Sequence, residues 1–178
     1  MSGTSSIHEF LRVAHVPYTV VPHRAAFTAQ EEAAATHVPG RDWAKVVTCL
    51  VDGKPVEAVV AAPSLVDLDR LLDLVGGREI RLAEENELRR LYPDCEPGAM
   101  PPFGSLYGQA VFADVALASE PRIVFNAGTH TEAIAMRWAD FARSVRPIVG
   151  RFAESACGVA ERSASTSSLI RRLAKDNL

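Results

Sequence analysis

Four short segments of this chain carry residue types that could take part in chemistry. Lys45 is a lone charge ahead of an apolar run, and residues 98–104 form a loop of glycine and proline. Residues 126–130 follow an apolar stretch and end in histidine, while His23 and Thr28 precede an alanine-rich segment. Each segment has an ordinary structural explanation: a strand-end lysine, a connecting loop, a turn, a loop histidine or a helix cap. None of them determines a function singly.

The common catalytic motifs are absent from the sequence. It contains no GxSxG elbow, no GxxxxGK[ST] phosphate loop, no GxGxxG fingerprint and no HExxH zinc motif. The histidines show no i, i+4 ligand spacing, although a metal site assembled from distant histidines stays open. An enzyme with this sequence would therefore work without a strong side-chain nucleophile.

Composition restricts the class of protein. The 178 residues, 48% of them hydrophobic and 23% charged, are typical of one globular domain. No stretch approaches the roughly 18 apolar residues of a spanning helix, and the first residues do not resemble a signal peptide. Cys49, Cys95 and Cys157 are odd in number and form no CxxC pair, which favours a reducing cytoplasm. We expect a cytoplasmic domain without metal, cofactor or membrane partner.

Charge is distributed unevenly along the chain. Residues 1–136 hold 11 basic and 18 acidic side chains, whereas residues 137–178 hold 8 basic and 4 acidic ones. The overall net charge of −3 argues against a protein that coats a nucleic-acid duplex. The basic end indicates a local contact with a polyanion, or simply a solvated terminal helix.

Capping boxes, apolar periodicity and turn dipeptides predict alternating helices and strands. Helices are expected over residues 6–16, 28–36, 64–75, 84–91 and 138–145. Strands are expected over residues 18–21, 46–51, 56–61, 80–82, 110–113, 123–126, 133–136 and 148–149. Because Asp52-Gly53 predicts a hairpin within this alternation, the sheet of the α/β domain must be mixed. We place the domain at residues 1–152 and a Ser/Ala-rich basic tail at residues 153–178.

Taken together and in this order, the four segments resemble the YbaK / prolyl-tRNA-synthetase-associated domain, a family of aminoacyl-tRNA editing deacylases. The similarity covers roughly residues 5–150. It is carried by Thr28-Ala29-x-Glu31 at a helix start, Lys45 before a strand and hairpin, the GxxxP loop from Gly98 to Pro102, and Asn126-Ala127-Gly128.

The resemblance implies both a fold and an activity. The fold is a mixed sheet curled into a partly closed barrel with surrounding helices. The activity is hydrolysis, in trans, of the ester that joins a wrong amino acid to the 3′-terminal adenosine of tRNA. A ribose hydroxyl of the substrate helps to activate water, so the protein needs only to position the ester and stabilise charge. Mischarged tRNA is the implied partner, with an aminoacyl-tRNA synthetase as a second candidate.

The resemblance also implies roles for individual residues. Lys45 would contact the terminal phosphate or ribose, and the amides at Gly98 would hold the substrate carbonyl. Pro102, with Pro101, would keep this catalytic loop stiff. The implied substrate-binding residues are His23, Thr28, Met100, Pro101, Phe103, Gly128, Thr129 and His130. Four of them are candidates for shaping the pocket, namely Met100, Phe103, Thr129 and His130. They do not indicate which amino acid the pocket accepts.

Two other functions stay open at this point. The first is a non-catalytic module of the same fold that binds tRNA or a synthetase. The second is a small-molecule esterase or thioesterase, which the missing catalytic triad disfavours. Hydrolysis of mischarged tRNAs separates the deacylase from the binding module, and activity on free esters would indicate the esterase.

The basic tail generates a first prediction. Arg171, Arg172 and Lys175 are expected to contact the tRNA backbone or a synthetase. Deleting residues 160–178 should leave a folded domain whose affinity for tRNA is lower and less dependent on salt, because fewer phosphate contacts are made. Binding measured over a salt series checks this expectation. Unchanged affinity would refute it, and a lost thermal transition would show instead that the tail is structural.

Overall fold

The computed structural model describes residues 4–155 of the chain. Its helices are α1 (Thr4–Val13), α2 (Ala29–Ala35), α3 (Leu68–Val75), α4 (Glu85–Leu91), α5 (Val115–Ala118) and α6 (Trp138–Val145). Its strands are β1 (Thr19–Pro22), β2 (Ala44–Val51), β3 (Lys54–Ala61), β4 (Ser64–Val66), β5 (Ile80–Leu82), β6 (Ala110–Asp114), β7 (Arg122–Thr129), β8 (Glu132–Arg137), β9 (Ile148–Gly150) and β10 (Ala153–Ser155). Arg171, Arg172 and Lys175 lie outside the described residues, so their contacts stay predictions.

The strands of the described part form three sheets. The largest has the order β5-β2-β3-β6-β9, with antiparallel pairs up to β3 and parallel pairs from β3 to β9. A second, antiparallel sheet has the order β1-β8-β7, and β10 pairs with β4 in the third. A parallel bridge between Trp43 and Val124 links the first two sheets. The predicted mixed α/β sheet is confirmed, while its curling into a partly closed barrel stays a prediction.

Local sequence signals account for several element boundaries. Asp52 and Gly53 adopt φ values of +48° and +78°, as a tight hairpin between β2 and β3 requires. Thr28 and Glu31 form the predicted capping box of α2. Gly76 ends α3 in the left-handed conformation, with φ of +80°.

One predicted helix is wrong in its first part. Residues 64–66 form strand β4, and α3 begins only after Asp67, whose side chain accepts a hydrogen bond from the Arg70 amide. The partner of β4 is β10, which lies within the segment predicted to be the tail. This pairing joins residues almost ninety positions apart, so no local periodicity predicts it.

The two faces of the largest sheet contribute to two apolar cores. Val59 packs with aromatic and aliphatic residues that include Phe103 and Phe125, whereas its neighbour Val60 packs with Leu71 and Phe152. This alternation follows from the opposite directions of successive strand side chains. Within the described residues, no helix is both long and apolar enough to cross a membrane.

A buried polar cluster joins β3 to both ends of the glycine-proline loop. The hydroxyl of Tyr92 lies 3.2 Å from Glu57 Oε1, 3.0 Å from Gln109 Oε1 and 2.9 Å from Thr48 Oγ1. Burial raises the pKa of Glu57 to about 8, against the opposing hydrogen bonds from Tyr92 and the Gly104 amide. Tyr92 and Gly104 lie on either side of residues 93–103, a segment that contains most of the glycine-proline loop, so Glu57 anchors this segment at both ends.

Glu57 should make the stability of the fold depend on pH. In the unfolded chain a glutamate ionises near pH 4.3, whereas folded Glu57 stays protonated up to about pH 8. Its contribution to stability is therefore fully present below the unfolded pKa and is lost as the pH rises through the folded pKa. Glu57→Gln keeps the shape of the side chain and cannot ionise. Its free energy of unfolding relative to that of the wild type should therefore rise by about 1.4 kcal/mol per pH unit across this window.

Thermal or denaturant unfolding at several pH values measures this difference. Glu85→Gln is the matched control, because Glu85 is an exposed glutamate on α4. A stability difference between Glu57→Gln and the wild type that stays constant with pH would contradict a protonated Glu57.

Candidate active site

The glycine-proline loop is hydrogen-bonded to the end of β7. The amide of Gly128 donates to the carbonyl of Ala99 at 2.9 Å, and the amide of Glu96 donates to the carbonyl of Gly128 at 2.9 Å. Gly98 and Gly128 have φ values of +91° and +98°, in the region that favours glycine. The structure thus brings two of the predicted segments, about thirty residues apart, into direct contact.

His130 lies at the centre of this contact. Its side chain is buried, with Nδ1 3.0 Å from Glu32 Oε1 and Nε2 3.0 Å from the carbonyl oxygen of Pro97. Its backbone amide donates to Glu96 Oε2 at 2.7 Å. A Cβ atom at Gly98 would lie 3.4 Å from Cε1 of the ring. His130 therefore contacts the loop on one side and α2 on the other.

The partners of His130 favour its charged form. Both ring nitrogens face oxygen acceptors, and only the imidazolium can donate from both. Burial acts to lower the pKa of His130, but the hydrogen bonds to Glu32 and Pro97 and the charges of Glu32 and Glu96 together raise it above its ordinary value. These contacts therefore favour an imidazolium beside the backbone of the loop.

Glu32 is a residue of this site that the sequence analysis missed. It is 2% exposed, and its Oε1 also accepts a hydrogen bond from Asn126 Nδ2 at 2.8 Å. The sequence contained one indication of its importance. The capping box uses Glu31, so it does not account for a second acidic residue at position 32. Glu32 also follows Ala29 by three positions and so shares the apolar face of α2.

Lys45 lies near the start of β2. Its Nζ donates to the carbonyl of Ala62 at 3.0 Å, and burial lowers its pKa. It lines a mostly apolar cavity of about 320 Å³ together with Val47, Ser64, Leu65, Val66, Leu68 and Leu82. Within residues 4–155, no hydrogen bond or ion pair joins Lys45 to Gly98 or His130.

The residues that follow Gly98 are buried. Met100 is 5% exposed, and its sulfur accepts a hydrogen bond from the Gly98 amide at 3.2 Å. Pro101 and Pro102 are buried as well. Phe103 is 0% exposed and packs against the rings of Phe10, Phe125 and Phe141. Phe103 thus anchors the loop in the core, and its role in shaping the substrate pocket stays a prediction.

His23 and Thr28 use their side chains for local contacts. Nδ1 of His23 donates to the carbonyl of Arg24 at 2.8 Å, and the ring packs 6.0 Å from that of Trp43. The hydroxyl oxygen of Thr28 accepts from the Glu31 amide at 3.2 Å, as the helix cap requires. Their roles in substrate binding stay predictions.

Two side chains flank the site near the β7–β8 turn. Thr129 is half-buried, with its hydroxyl 3.4 Å from that of Thr131. Phe27 was not predicted, yet it is 74% exposed with its ring 5.2 Å from that of His130. The site therefore presents an exposed aromatic ring next to a buried imidazole.

Comparison with known proteins assigns the chain to a family. Residues 23–144 match the model of the aminoacyl-tRNA editing domain. The chain belongs to this family. A relative of this editing domain, the multifunctional Ser/Thr-tRNA deacylase ProXp-y of Escherichia coli (strain K12), is 29% identical over 144 residues, which cover 78% of this chain and 86% of the relative.

Solved structures support the same fold for this editing domain. A proposed trans-editing enzyme for prolyl-tRNA synthetase matches with a TM-score of 0.76 and 21% identity, over 87% of this chain and 99% of that one. A hypothetical protein matches with a TM-score of 0.76 and 18% identity, over 84% of this chain and 99% of that one. The resemblance stated from the four segments is confirmed.

Proposed function

We propose that this editing domain is a trans-acting aminoacyl-tRNA deacylase that hydrolyses the ester of mischarged tRNA. The family and the deacylase named among its relatives support the class of reaction. The observation that carries the proposal is the contact between the Pro97–Gly98 peptide and His130, in which an exposed glycine lies against a buried imidazole ring. The substrate is the 3′-terminal aminoacyl-adenosine, and a synthetase is a second candidate partner.

The Gly98 amide is suited to hold the ester carbonyl. It donates to the thioether of Met100, which is a weak acceptor that a carbonyl oxygen can replace. As water adds to the carbonyl carbon, its oxygen gains negative charge, and a fixed N–H donor near a cation stabilises that charge. Losing one such donor typically costs about 100- to 1000-fold in rate.

The remaining steps need no nucleophilic side chain, because an aminoacyl ester is already activated. A free ribose hydroxyl of the substrate orients the attacking water and relays its proton to the departing ribose oxygen. The C–O bond to the ribose breaks as the new C–O bond to water forms, which leaves the free amino acid and deacylated tRNA. The protein contributes position and electrostatic stabilisation.

Lys45 serves the proposed reaction through binding. One of its N–H groups is used by the carbonyl of Ala62, which leaves two for the terminal phosphate or ribose. Its half-buried position strengthens its interaction with an anion, because screening by water is weaker there.

Hydrolysis of a panel of tRNAs, each mischarged with a different small amino acid, tests the proposal. Release of the amino acid, with free aminoacyl esters left intact, is the expected result. Binding of tRNA without hydrolysis would indicate the non-catalytic module. Hydrolysis of free esters at a similar rate would indicate a small-molecule esterase.

Lys45→Met should reduce deacylation while folding stays near wild type. The substitution removes the ammonium group and keeps an apolar side chain that lines the cavity. The affinity for the 3′ end of tRNA should therefore fall more than the stability of the fold. Deacylation rate and melting temperature are measured on one preparation. Lys54→Met, in the exposed turn of the β2–β3 hairpin, is the matched control. Equal activity of the two variants would remove Lys45 from the site.

Gly98→Ala should lower the single-turnover rate by about 100- to 1000-fold, because the amide loses its position. Alanine at this positive φ also lowers the free energy of unfolding by about 1 kcal/mol, whether or not Gly98 takes part in the reaction. Gly76→Ala is the matched control, since it has φ of +80° and open space around a new Cβ. It should lose similar stability and keep full activity. A Gly98→Ala rate within about threefold of wild type would exclude Gly98 from the chemistry.

A further inference from the structure

Glu32 is buried beside the proposed site, and the mechanism above uses it in no step. We propose that Glu32 is a positioning residue: it orients His130, which holds the carbonyl of Pro97 and thereby aims the Gly98 amide at the substrate. This inference rests on the proposed deacylase function. It extends the site from the loop to α2.

The first link is the fixed position of the Glu32 carboxylate. Its Oε1 accepts from Asn126 Nδ2 at 2.8 Å and from His130 Nδ1 at 3.0 Å. The helix that carries it is held by the capping box of Thr28. A buried acceptor fixed from two directions leaves the imidazole ring one orientation.

The second link is the peptide unit between Pro97 and Gly98. His130 Nε2 lies 3.0 Å from the carbonyl oxygen of this unit. A trans peptide is planar, with its C=O and N–H pointing in opposite directions, so a fixed carbonyl also fixes the N–H. Glycine at this position would otherwise allow the peptide to rotate. The Gly98 amide thus owes its direction to His130.

The third link is charge. The acidic groups that face His130 are Glu32 from α2 and Glu96 from the loop, and Glu96 is exposed. With Gln at position 32, the amide oxygen can still accept from Asn126, but the buried cation loses its nearest counter-charge. A neutral His130 that donates from Nδ1 then turns an unprotonated Nε2 towards the carbonyl of Pro97, and the contact is lost.

Glu32→Gln therefore tests the inference, with Glu31→Gln as the matched control. Glu31 is the exposed neighbour on the same helix, and glutamine still satisfies a capping box. The ratio of wild-type to Glu32→Gln single-turnover rates should be smallest at about pH 5 and rise to about tenfold or more near neutral pH, as His130 of the variant loses its proton first. Glu31→Gln should follow the wild type at every pH.

Two NMR measurements on the full chain separate positioning from general stability. Nitrogen-detected imidazole spectra should show both nitrogens of wild-type His130 protonated at neutral pH, with a lower titration midpoint in Glu32→Gln. The backbone amide signal of Gly98 should move in Glu32→Gln and stay in place in Glu31→Gln. The wild-type imidazole spectrum needs no variant, so it decides the charge state even if Glu32→Gln folds poorly.

Several results would overturn the inference. A rate ratio that is the same at all pH values would show a merely structural role for Glu32. An unmoved Gly98 amide signal, or a singly protonated wild-type His130 at neutral pH, would break the chain of contacts. A wild type that hydrolyses no aminoacyl-tRNA would refute the proposed function instead, and the Gly98 signal would still show whether Glu32 orients that amide.

Discussion

The buried hydrogen bond between Glu32 and His130, an ion pair when His130 is protonated, is the interaction on which the candidate site depends. It joins α2 to the end of β7, and the second nitrogen of His130 extends the connection to the loop at Pro97. A buried pair is tolerated only where further hydrogen bonds offset its desolvation. Here Asn126 and the Pro97 carbonyl provide them, so three segments distant in sequence form one unit.

The loop is held in place by apolar and polar contacts at its far end as well. Phe103 inserts into an aromatic core, and Glu57 binds the residues on either side of the loop. The desolvation of a buried carboxylate is offset differently at Glu32 and at Glu57. Glu32 accepts hydrogen bonds from Asn126 and His130, whereas burial favours the protonated form of Glu57.

This arrangement is compatible with the proposed hydrolysis, which uses no nucleophilic side chain. The groups nearest the proposed reaction are backbone atoms, namely the Gly98 amide and the Pro97 carbonyl. Backbone atoms carry no residue identity, so they are visible in the sequence only through glycines in unusual conformations. In the proposed reaction, the weakly held Gly98 amide and a protonated His130 would stabilise the charge that develops on the ester carbonyl.

The sequence by itself determined the elements whose hydrogen bonds are local. The hairpin at Asp52-Gly53, the capping box at Thr28 and the helix α6 follow from residues a few positions apart. The four candidate segments also sufficed to indicate the family.

Only the tertiary structure decided which of the candidate site residues lie in contact with one another. It placed His130 against Gly98, put Lys45 in the wall of an apolar cavity, buried Phe103 in the core and revealed Glu32. These contacts join residues tens of positions apart. Their formation depends on strand register and on compensation of buried charge, and neither leaves a periodic pattern in the chain.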